Sequence, residues 1–531
     1  MKNADLPILT SLLAGLAPAS ASFSAAQDCA RLAEAIETSL FDDSHITFSD
    51  FVEAGRNLSI PKTHPTCEGF AGVVDFDFCR VGITTTTGPS SEIVSEAWLP
   101  ADWSGRVMTV GNGGLGGCIG YSDLFYTAQR GFSAVGTDIG HVGNVGEPLA
   151  DPDVLESYTW RAAHVGAQLS KEISLEYYGK EHTKAYYLGC STGGRQGFVA
   201  AQEFPDDFDG IVAGAPAIPM SGLQSWSGYA TTITGPPGSP SFISQELWAI
   251  IVEDMLKQCD WLDGHLDGIL EHTELCNYRP EGLLCGTSGE NGEEGCLTGA
   301  QADTVRSLLS PLYDSEGNEV FGRMQPGTDT SAILWRGSLE GAYVLGWFRY
   351  GVYGNASWNG PVTREDIDFA EAKWTNARGQ GWKGDLSVAK DRGLKILHYH
   401  GLQDPAISAE NSGRYYNHVA RTMGLPPSEL DAFYRFFYIS GMGHCAGGTG
   451  ASNIGNRLST LAEEEPEGNV LAAIVQWVEE GVAPDYVLGT AYTSEEKDEI
   501  AFQRRHCKYP ARNMYKGEGD PDAADSWECV Q

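Results

Sequence analysis

The sequence predicts an α/β fold: a central, largely parallel sheet flanked by helices and interrupted by a large insertion. Two observations predict it. Between residues 92 and 217, short runs rich in apolar and β-branched residues alternate with segments that carry apolar residues at helical spacing. The same strand pattern resumes at 394–401 and 433–440, after a long region of different composition.

The individual elements follow from the same patterns. Strands are predicted at 92–99, at 106–117, where the run ends in a glycine-rich loop, and at 132–140, 184–189 and 209–217. Helices are predicted over 157–179, from Arg195 to a stop at Pro205, and over 469–481. Strands that alternate with helices in this way indicate a parallel sheet with right-handed crossovers.

The domain organisation is predicted from a change in composition. Residues from about 220 to 390 contain GPPGSPS, four cysteines and many aromatic residues, which indicates an inserted subdomain. The predicted organisation is a leader at 1–21, the first part of a catalytic domain at 22–219, an inserted lid subdomain at 220–390, and the second part with a C-terminal tail at 391–531.

The formal charge of −36, from 35 basic and 71 acidic residues, excludes two classes of partner. Such a surface repels phosphate backbones and anionic lipid headgroups, so neither nucleic acid nor a membrane is an expected partner. At the N-terminus, Lys2 precedes a short apolar run, Leu6–Leu16, and small residues at 19–21 follow it. This pattern predicts a signal peptide over 1–21 and a secreted, extracellular protein. No later segment carries ~18 uninterrupted apolar residues, so no membrane anchor is expected.

The cysteines and two sequons fit an extracellular location. An even count of 12 cysteines in a secreted chain favours disulfides over free thiols. Short gaps suggest the pairs Cys259–Cys276, Cys285–Cys296 and Cys507–Cys529, whereas the partners of Cys29, Cys67, Cys79 and Cys118 stay open. The Asn-x-Ser sequons at Asn57 and Asn355 are predicted glycosylation sites.

The octapeptide YLGCSTGG, residues 187–194, carries the pattern Gly-x-Ser-x-Gly around Ser191. A serine hydroxyl is a poor nucleophile until an adjacent base takes its proton. Glycines two residues before and after the serine allow the sharp strand-to-helix turn that exposes this hydroxyl in α/β-hydrolases. Because a β-rich run precedes the motif and a helical pattern follows it, we predict an α/β-hydrolase fold with Ser191 as nucleophile. The alternative is an ordinary turn serine that caps a helix.

In α/β-hydrolases the catalytic residues follow the chain order serine, acid, histidine. The stretch HGLQDP places Asp404 just after the predicted strand 394–401, and SGMGHCAGG places His444 in a glycine-rich loop after strand 433–440. Asp404 is therefore the predicted acid and His444 the predicted base. Asp138, at the exit of an earlier strand, is a rival acid, although it precedes the serine. The alternatives are an ordinary Asp-Pro turn and a loop histidine without function.

A cysteine stands beside two of the predicted catalytic residues, because Cys190 precedes Ser191 and Cys445 follows His444. A disulfide holds its two Cα atoms ~4.4–6.8 Å apart, so a Cys190–Cys445 bond would bring nucleophile and base into one neighbourhood. Oxidation would also remove a reactive thiol from the side of the nucleophile. We predict this bond. The alternative is two buried cysteines with other partners.

The motifs GCSTGGRQG, HGLQD and GMGHC, in this order, resemble the fungal tannase and feruloyl esterase family. The cysteine pattern, the inserted region and the C-terminal tail agree, so the resemblance covers nearly the whole chain after the predicted leader. The length of the chain and the residues within these motifs resemble the feruloyl esterase branch of the family more than the tannase branch. The resemblance implies a secreted serine esterase that hydrolyses feruloyl (hydroxycinnamoyl) esters of plant cell-wall polysaccharides such as arabinoxylan and releases ferulate.

Two other functions stay open. The first is a tannase that hydrolyses galloyl esters of tannins, an activity of the same family. The second, of a different class, is a secreted, non-catalytic carbohydrate-binding protein on a hydrolase scaffold. The presence of the serine, acid and histidine in the required order argues against the second function.

A tetrahedral ester intermediate needs hydrogen-bond donors for its oxyanion. One donor in α/β-hydrolases is the backbone N–H after the nucleophile, here Thr192, and another comes from a loop after an early strand. The loop GNGGLGGCIG, residues 111–120, fits this place, with Gly113 or Gly114 as the predicted donor. A phosphate-binding role is not expected, because no Lys-Ser/Thr pair follows the glycines. A plain flexible turn is the alternative.

The segment CDWLDGHLDGILEHTELC, residues 259–276, is rich in acids, and its spacing differs from that of an EF-hand. It resembles the calcium loop of the same family, which implies a structural Ca²⁺ in the insertion and no cofactor for catalysis. The implied ligands are the carboxylates of Asp260, Asp263 and Asp267 and the main-chain oxygens of His265 and Ile269. A solvated acidic turn is the alternative interpretation.

The aromatic stretch YVLGWFRYGVYGNASW, residues 343–358, has two interpretations. It forms either a wall of the substrate pocket, which would suit an aromatic acyl group, or the core of the insertion itself. The sequence does not decide between them.

Overall fold

The computed structural model of the protein describes residues 24–34, 43–286, 295–329 and 343–531. The predicted leader at 1–21 lies outside these residues. The strands up to residue 214 are β1 Ser44–Val52, β2 Asn57–Ile60, β3 Phe70–Val73, β4 Phe78–Thr86, β5 Glu92–Pro100, β6 Arg106–Val110, β7 Phe132–Thr137, β8 Lys184–Cys190 and β9 Gly210–Gly214. The later strands are β10 Leu312–Tyr313, β11 Glu319–Phe321, β12 Lys395–Gly401, β13 Tyr434–Ile439, β14 Tyr486–Tyr492, β15 Ile500–Cys507, β16 Arg512–Tyr515 and β17 Trp527–Val530.

One nine-stranded sheet organises the molecule, in the order β1-β4-β5-β7-β6-β8-β9-β12-β13. From β7 to β13 all neighbours run parallel. The prediction of a parallel sheet from residue 92 onward is wrong for β5, which runs antiparallel to both β4 and β7. The short connection between β4 and β5 explains this direction, since parallel neighbours need a long crossover and antiparallel ones only a hairpin.

Helices cover both faces of the sheet. The α-helices are Ala25–Glu34, Tyr121–Ala128, Pro152–Glu156, Ala162–Tyr178, Thr192–Glu203, Met220–Thr234, Gln245–Cys259, Gly299–Leu308, Arg364–Trp374, Ser387–Arg392, Glu410–Met423, Pro427–Leu430 and Val470–Glu480. Short 3₁₀-helices lie at Glu147–Ala150, Asp260–Asp263, Pro280–Leu283, Leu458–Thr460 and Ala524–Ser526, and π-helical turns at Ser157–Arg161 and Trp347–Val352.

The predicted helices exist, with shifted starts. The helix after the serine motif begins at Thr192, directly after Ser191, instead of at Arg195. The last predicted helix begins after Asn469, whose side chain accepts hydrogen bonds from the first-turn amides of Leu471 and Ala472. The helix Tyr121–Ala128 and the strands β1 and β4 were not predicted. Along the parallel strands, apolar side chains point alternately to the two faces of the sheet. On each face they pack against the covering helices, which gives two separate apolar clusters.

Between β9 and β12, the described chain adds no strand to the main sheet. It contributes helices, including Met220–Thr234 and Gln245–Cys259, and the β10–β11 hairpin. Its apolar residues form one cluster of their own around Trp248 and another that is shared with the sheet domain through Leu115 and Ile139. The insertion therefore packs against the edge of the sheet where the glycine-rich loop lies. Its boundaries at 220 and 390 stay a prediction.

A further finding concerns membranes. Within the described ranges, no helix combines the length and the apolar character needed to cross a bilayer.

Candidate active site

Ser191 occupies a sharp turn between β8 and the helix Thr192–Glu203. Its backbone has φ +65° and ψ −123°, a strained conformation for a non-glycine residue. Close backbone approach explains the surrounding glycines: a Cβ on Gly189 would lie 2.7 Å from the carbonyl carbon of Gly193, and one on Gly194 would lie 2.2 Å from the Gly214 carbonyl oxygen. The motif thus forms the strand–turn–helix arrangement that holds a serine hydroxyl above the sheet.

Asp404 follows β12 and is fully buried. Its Oδ2 lies 2.8 Å from Nδ1 of His444, and its Oδ1 accepts hydrogen bonds from the amides of Ala406 (2.8 Å) and Ile407 (2.9 Å). The backbone amides fix the carboxylate, and the carboxylate in turn orients the imidazole. His444 Nε2 is then the ring nitrogen available to a proton from a serine.

His400 is a second histidine that contacts Asp404, with Nε2 3.2 Å from Oδ2 of Asp404. Burial by itself raises the pKa of Asp404, but attraction to His444 and hydrogen bonds from His400 and His444 outweigh burial and hold this pKa well below its usual range. Asp404 is therefore a carboxylate throughout the neutral range. Sequence analysis did not assign a role to His400. Its position four residues before the acid, on the strand that leads to it, was the available signal.

The disulfide between Cys190 and Cys445 joins the serine turn to the histidine loop, with a Cα–Cα distance of 6.1 Å across a sequence separation of 255. The predicted bond is confirmed. Ser191 and His444 line one cavity. In the described part of the chain, no hydrogen bond joins Ser191 Oγ to the His444 ring; such bonds often close only when substrate is bound.

The other ten cysteines are also paired. The short-gap pairs Cys259–Cys276, Cys285–Cys296 and Cys507–Cys529 are confirmed, and the two pairs that spacing left open are Cys29–Cys79 and Cys67–Cys118. The Cys67–Cys118 bond closes the glycine-rich loop against residues 66–69, and both segments line the cavity.

The glycine-rich loop after β6 is hydrogen-bonded to the helix Thr192–Glu203. The carbonyl oxygen of Gly114 accepts a hydrogen bond from Thr192 Oγ1 at 2.5 Å and another from the Tyr158 hydroxyl at 3.4 Å. The amide of Leu115 donates to Asn144 Oδ1 at 2.8 Å. Among the described residues, the amides of Thr192, Gly113 and Gly114 have no hydrogen-bond acceptor. Since all three residues line the cavity beside Ser191, this geometry can hold an oxyanion.

A second pair of hydrogen bonds joins the same loop to Gln196 of the helix Thr192–Glu203. The amide of Asn112 donates to Gln196 Oε1 at 3.0 Å, and Gln196 Nε2 donates to Asn112 Oδ1 at 3.1 Å. Asn112 and Gln196 are both buried, so the loop and the helix Thr192–Glu203 form one hydrogen-bonded unit. The glycine-rich loop is therefore not a plain flexible turn.

The rival acid Asp138 lies elsewhere. Its carboxylate accepts hydrogen bonds from the amides of Val94 (3.0 Å) and Gly140 (2.9 Å), next to β7. The carboxylate that contacts the His444 ring is that of Asp404.

The cavity has a volume of about 730 Å³ and two different walls. The sheet domain contributes Ser191, His444 and the glycine-rich loop, while the insertion contributes Met220, Leu223 and a few polar groups. From the aromatic stretch 343–358, Tyr343 reaches the cavity, whereas Trp347 and Phe348 are fully buried in the cluster shared by insertion and sheet domain. Within the described residues, this stretch is therefore mainly core.

The acidic segment of the insertion holds buried carboxylates. Asp260 and Asp263 are buried, and burial raises the pKa of Asp263 to about 8. Oδ1 of Asp260 has no hydrogen-bond partner in the described residues. Asp267 pairs with Arg504 at 2.6 Å, and the His265 ring packs on Tyr515 with 5.3 Å between ring centroids.

Burial of two carboxylates without a cationic side chain nearby raises the free energy of the folded state. A divalent cation bound to them would offset this cost, so a cation fits this donor set. In the part of the chain described, no three His, Cys, Asp or Glu side chains lie close enough together to form a metal site by themselves. The three implied carboxylates, Asp260, Asp263 and Asp267, do not form such a group in this structure, and Asp267 pairs with Arg504. The calcium site stays a prediction.

The predicted glycosylation sites are accessible. Asn57 begins β2 and Asn355 lies in a loop after Trp347–Val352, and both side chains are exposed. Their glycosylation stays a prediction.

Comparison with known proteins identifies relatives along nearly the whole chain. The family model for tannase and feruloyl esterase matches residues 79–355 and 379–530. The probable feruloyl esterase B-2 of Aspergillus terreus is 46% identical over 492 residues, which is 92% of this chain and 92% of that protein.

Two crystal structures from Aspergillus oryzae have the same fold. An esterase superimposes with a TM-score of 0.91 at 44% identity, covering 96% of this chain and 100% of that one. Feruloyl esterase B superimposes with a TM-score of 0.88 at 42% identity, covering 94% of this chain and 100% of that one. The predicted α/β-hydrolase fold is confirmed.

Removal of the Cys190–Cys445 bond should reduce turnover more than it unfolds the protein. In a Cys190→Ala/Cys445→Ala variant we expect kcat on an ester substrate to fall about 100-fold, because displacement of nucleophile or base by ~1 Å has that effect. Steady-state kinetics measures kcat, and circular dichroism checks the fold. The matched control, Cys285→Ala/Cys296→Ala, removes a disulfide within the insertion and should keep kcat. Equal kcat in both variants would contradict the positioning role.

Substitution of Gly114 should damage the predicted oxyanion site. Gly114 has φ +57°, and a Cβ there would lie 2.5 Å from Asn144 Oδ1, so Gly114→Ala must displace the loop. We expect kcat to fall about 100-fold, the size of effect seen when one oxyanion donor is lost.

Gly179→Ala is the control for backbone strain. Gly179 has a similar φ of +65°, and its Cβ would meet nothing within 4 Å. This variant should lose stability without loss of kcat. A Gly114→Ala enzyme with normal kcat would show that the loop takes no part in turnover.

Proposed function

We propose a function from the premise that this chain belongs to the tannase and feruloyl esterase family. It is a serine carboxylic ester hydrolase that cleaves feruloyl (hydroxycinnamoyl) esters and releases ferulate. One observation carries the proposal: His444 is bound through Nδ1 to the buried Asp404 at 2.8 Å and is tied by the Cys190–Cys445 bond to the turn that holds Ser191.

The roles of the residues follow from this geometry. Ser191 Oγ attacks the ester carbonyl while His444 Nε2 takes its proton, and the same ring then protonates the leaving alcohol. Asp404 keeps Nδ1 protonated and stabilises the imidazolium. The amides of Thr192 and of Gly113 or Gly114 donate to the oxyanion. Water, activated by His444, then releases the acid and restores the serine.

The natural substrate is an aromatic-acid ester of plant cell-wall polysaccharide, such as arabinoxylan. Feruloyl esterase B proteins are relatives at 42–46% identity, which supports the feruloyl acyl group over a galloyl one. A cavity of about 730 Å³ is within the range of small-molecule sites and exceeds what the acyl group alone requires. A sugar of the polymer therefore has room beside the ferulate. A secreted enzyme suits such a substrate, and six disulfides are typical of extracellular proteins.

Ser191→Ala tests the activity. We expect kcat on methyl ferulate to fall at least about 10⁴-fold, because the nucleophile is lost. A fluorophosphonate should label the wild type at Ser191 and leave the variant unlabelled. Ser315→Ala, in the exposed turn between β10 and β11, is the control and should keep full turnover.

Parallel assays on methyl ferulate, methyl caffeate and methyl gallate separate the two activities of the family. We expect the hydroxycinnamates to have the higher kcat/KM. Preference for gallate would replace the feruloyl assignment by a tannase. Absence of both turnover and labelling in the wild type would favour a non-catalytic carbohydrate-binding protein.

We also propose a structural Ca²⁺ at the segment 259–276, held by Asp260, Asp263 and Asp267 with the main-chain oxygens of His265 and Ile269. The two buried carboxylates without a cationic partner support it. The ion would neutralise charge within the insertion, and no step of the ester chemistry depends on it.

Calcium removal should lower stability but not the intrinsic activity. At a calcium concentration ~100-fold above Kd, binding stabilises the folded state by about 2.7 kcal/mol, so chelation should lower the melting temperature measurably. In Asp263→Asn this shift should vanish. Asp303→Asn, an exposed carboxylate of the same insertion, should keep it. A wild-type protein that has no calcium after extensive chelation, by metal analysis, and an unchanged melting temperature would exclude the site.

A further inference from the structure

The cavity beside Ser191 has a charged wall that the proposed mechanism does not use. Glu68, Asp123 and Arg457 all line it. They come from three separate segments: Glu68 follows the disulfide-bonded Cys67, Asp123 lies in the first turn of the helix Tyr121–Ala128, and Arg457 directly precedes the 3₁₀-helix Leu458–Thr460. The fold thus brings three charges, net −1, to one side of the substrate cavity.

The charged groups on this wall lack the partners that charged side chains normally have. The Asp123 carboxylate makes no hydrogen bond or ion pair with any described residue, and Arg457 has no carboxylate within 4.0 Å in the same ranges. Nε of Arg457 is buried without a hydrogen-bond partner. Asp123 is half-buried and lines the cavity, and burial raises its pKa despite the attraction of Arg457. A half-buried carboxylate without donors from the protein gains free energy from a ligand hydroxyl that donates to it.

The charges define the ligand that this wall can hold. A carboxylate accepts hydrogen bonds and a guanidinium donates them, and a hydroxyl group can do both at once. An anionic ligand is disfavoured, because Asp123 and Glu68 together outweigh Arg457 in charge. The insertion adds the apolar side chains of Met220 and Leu223 to the lining of the same cavity, and these suit the face of an aromatic ring.

We propose that Asp123 and Arg457 form a hydroxyl-binding subsite of the cavity, which selects esters that carry a free hydroxyl group. The inference rests on the proposed esterase function and extends it to substrate recognition. The hydroxyl has two possible sources in a feruloylated polysaccharide: the phenolic hydroxyl of the acyl ring, or a sugar hydroxyl of the alcohol. Asp123 and Arg457 bind substrate in this scheme and take no part in the bond-breaking steps.

Asp123→Asn tests the subsite with three esters of related acids. Methyl ferulate carries the phenolic hydroxyl, methyl 3,4-dimethoxycinnamate lacks every hydroxyl, and a ferulate ester of arabinose adds sugar hydroxyls. We expect kcat/KM of the variant to fall about tenfold, through KM, on the ester whose hydroxyl is bound, while kcat/KM on the dimethoxy ester stays unchanged. Asp102→Asn, an exposed carboxylate outside the cavity, changes the net charge equally and should alter none of the three.

The three esters distinguish the two possible sources of the bound hydroxyl group. They also separate failure of the subsite from failure of the proposed function. Loss on methyl ferulate and the arabinose ester assigns the phenolic hydroxyl, and loss on the arabinose ester alone assigns the sugar. Equal loss on all three esters, or loss on none, would overturn the subsite. A wild type inactive on all three would overturn the proposed function and the subsite with it.

Arg457→Gln provides a second variant, should Asp123→Asn have an altered circular dichroism spectrum or melting temperature. It is expected to raise KM for the same ester as Asp123→Asn. If a folded Arg457→Gln enzyme keeps the wild-type ratio between hydroxylated and methylated esters, the subsite is wrong.

Discussion

The covalent link between Cys190 and Cys445 is the constraint on which the candidate site depends. Ser191 lies at the end of β8 and His444 beyond the end of β13, and β9 and β12 lie between these strands in the sheet. Neighbouring strands are ~4.8 Å apart, so β8 and β13 are separated by roughly 14 Å. The sheet alone cannot bring nucleophile and base together. The histidine loop must reach back across the edge, and the disulfide, with its Cα atoms 6.1 Å apart, fixes it there.

The same constraint explains the conformation around the site. A residue with positive φ lies at each end of the disulfide: Ser191, which follows Cys190, and Cys445 itself. The bond therefore joins two turns with strained backbones. Asp404, just after the end of β12, lies near both turns and accepts hydrogen bonds from two histidines and two backbone amides. Displacement of this buried carboxylate would break four hydrogen bonds and cost free energy. Because Asp404 is fixed, it holds the His444 ring in one orientation.

Much of this site could be predicted because its signals are local or covalent. The serine turn, the chain order of acid and histidine, and a cysteine beside each of Ser191 and His444 are visible in the sequence. The direction of β5 and the role of His400 were missed, since they depend on which strands become neighbours and on contacts between distant segments. The proposed calcium ligands were available only through resemblance, because nothing in their spacing distinguishes a Ca²⁺ loop from a solvated turn.

The aromatic stretch of the insertion shows why residue type alone does not locate a substrate wall. Large aromatic side chains gain most free energy from complete burial, and Trp347 and Phe348 are fully buried in the cluster that the insertion shares with the sheet domain. The insertion residues that line the cavity include Leu223 and the partly exposed Tyr343 instead. The proposed catalytic residues come from the sheet domain, whereas Met220 and Leu223 of the apolar lining come from the insertion. Substitutions in the insertion can therefore change which acyl or alcohol group binds without any change in the ester chemistry.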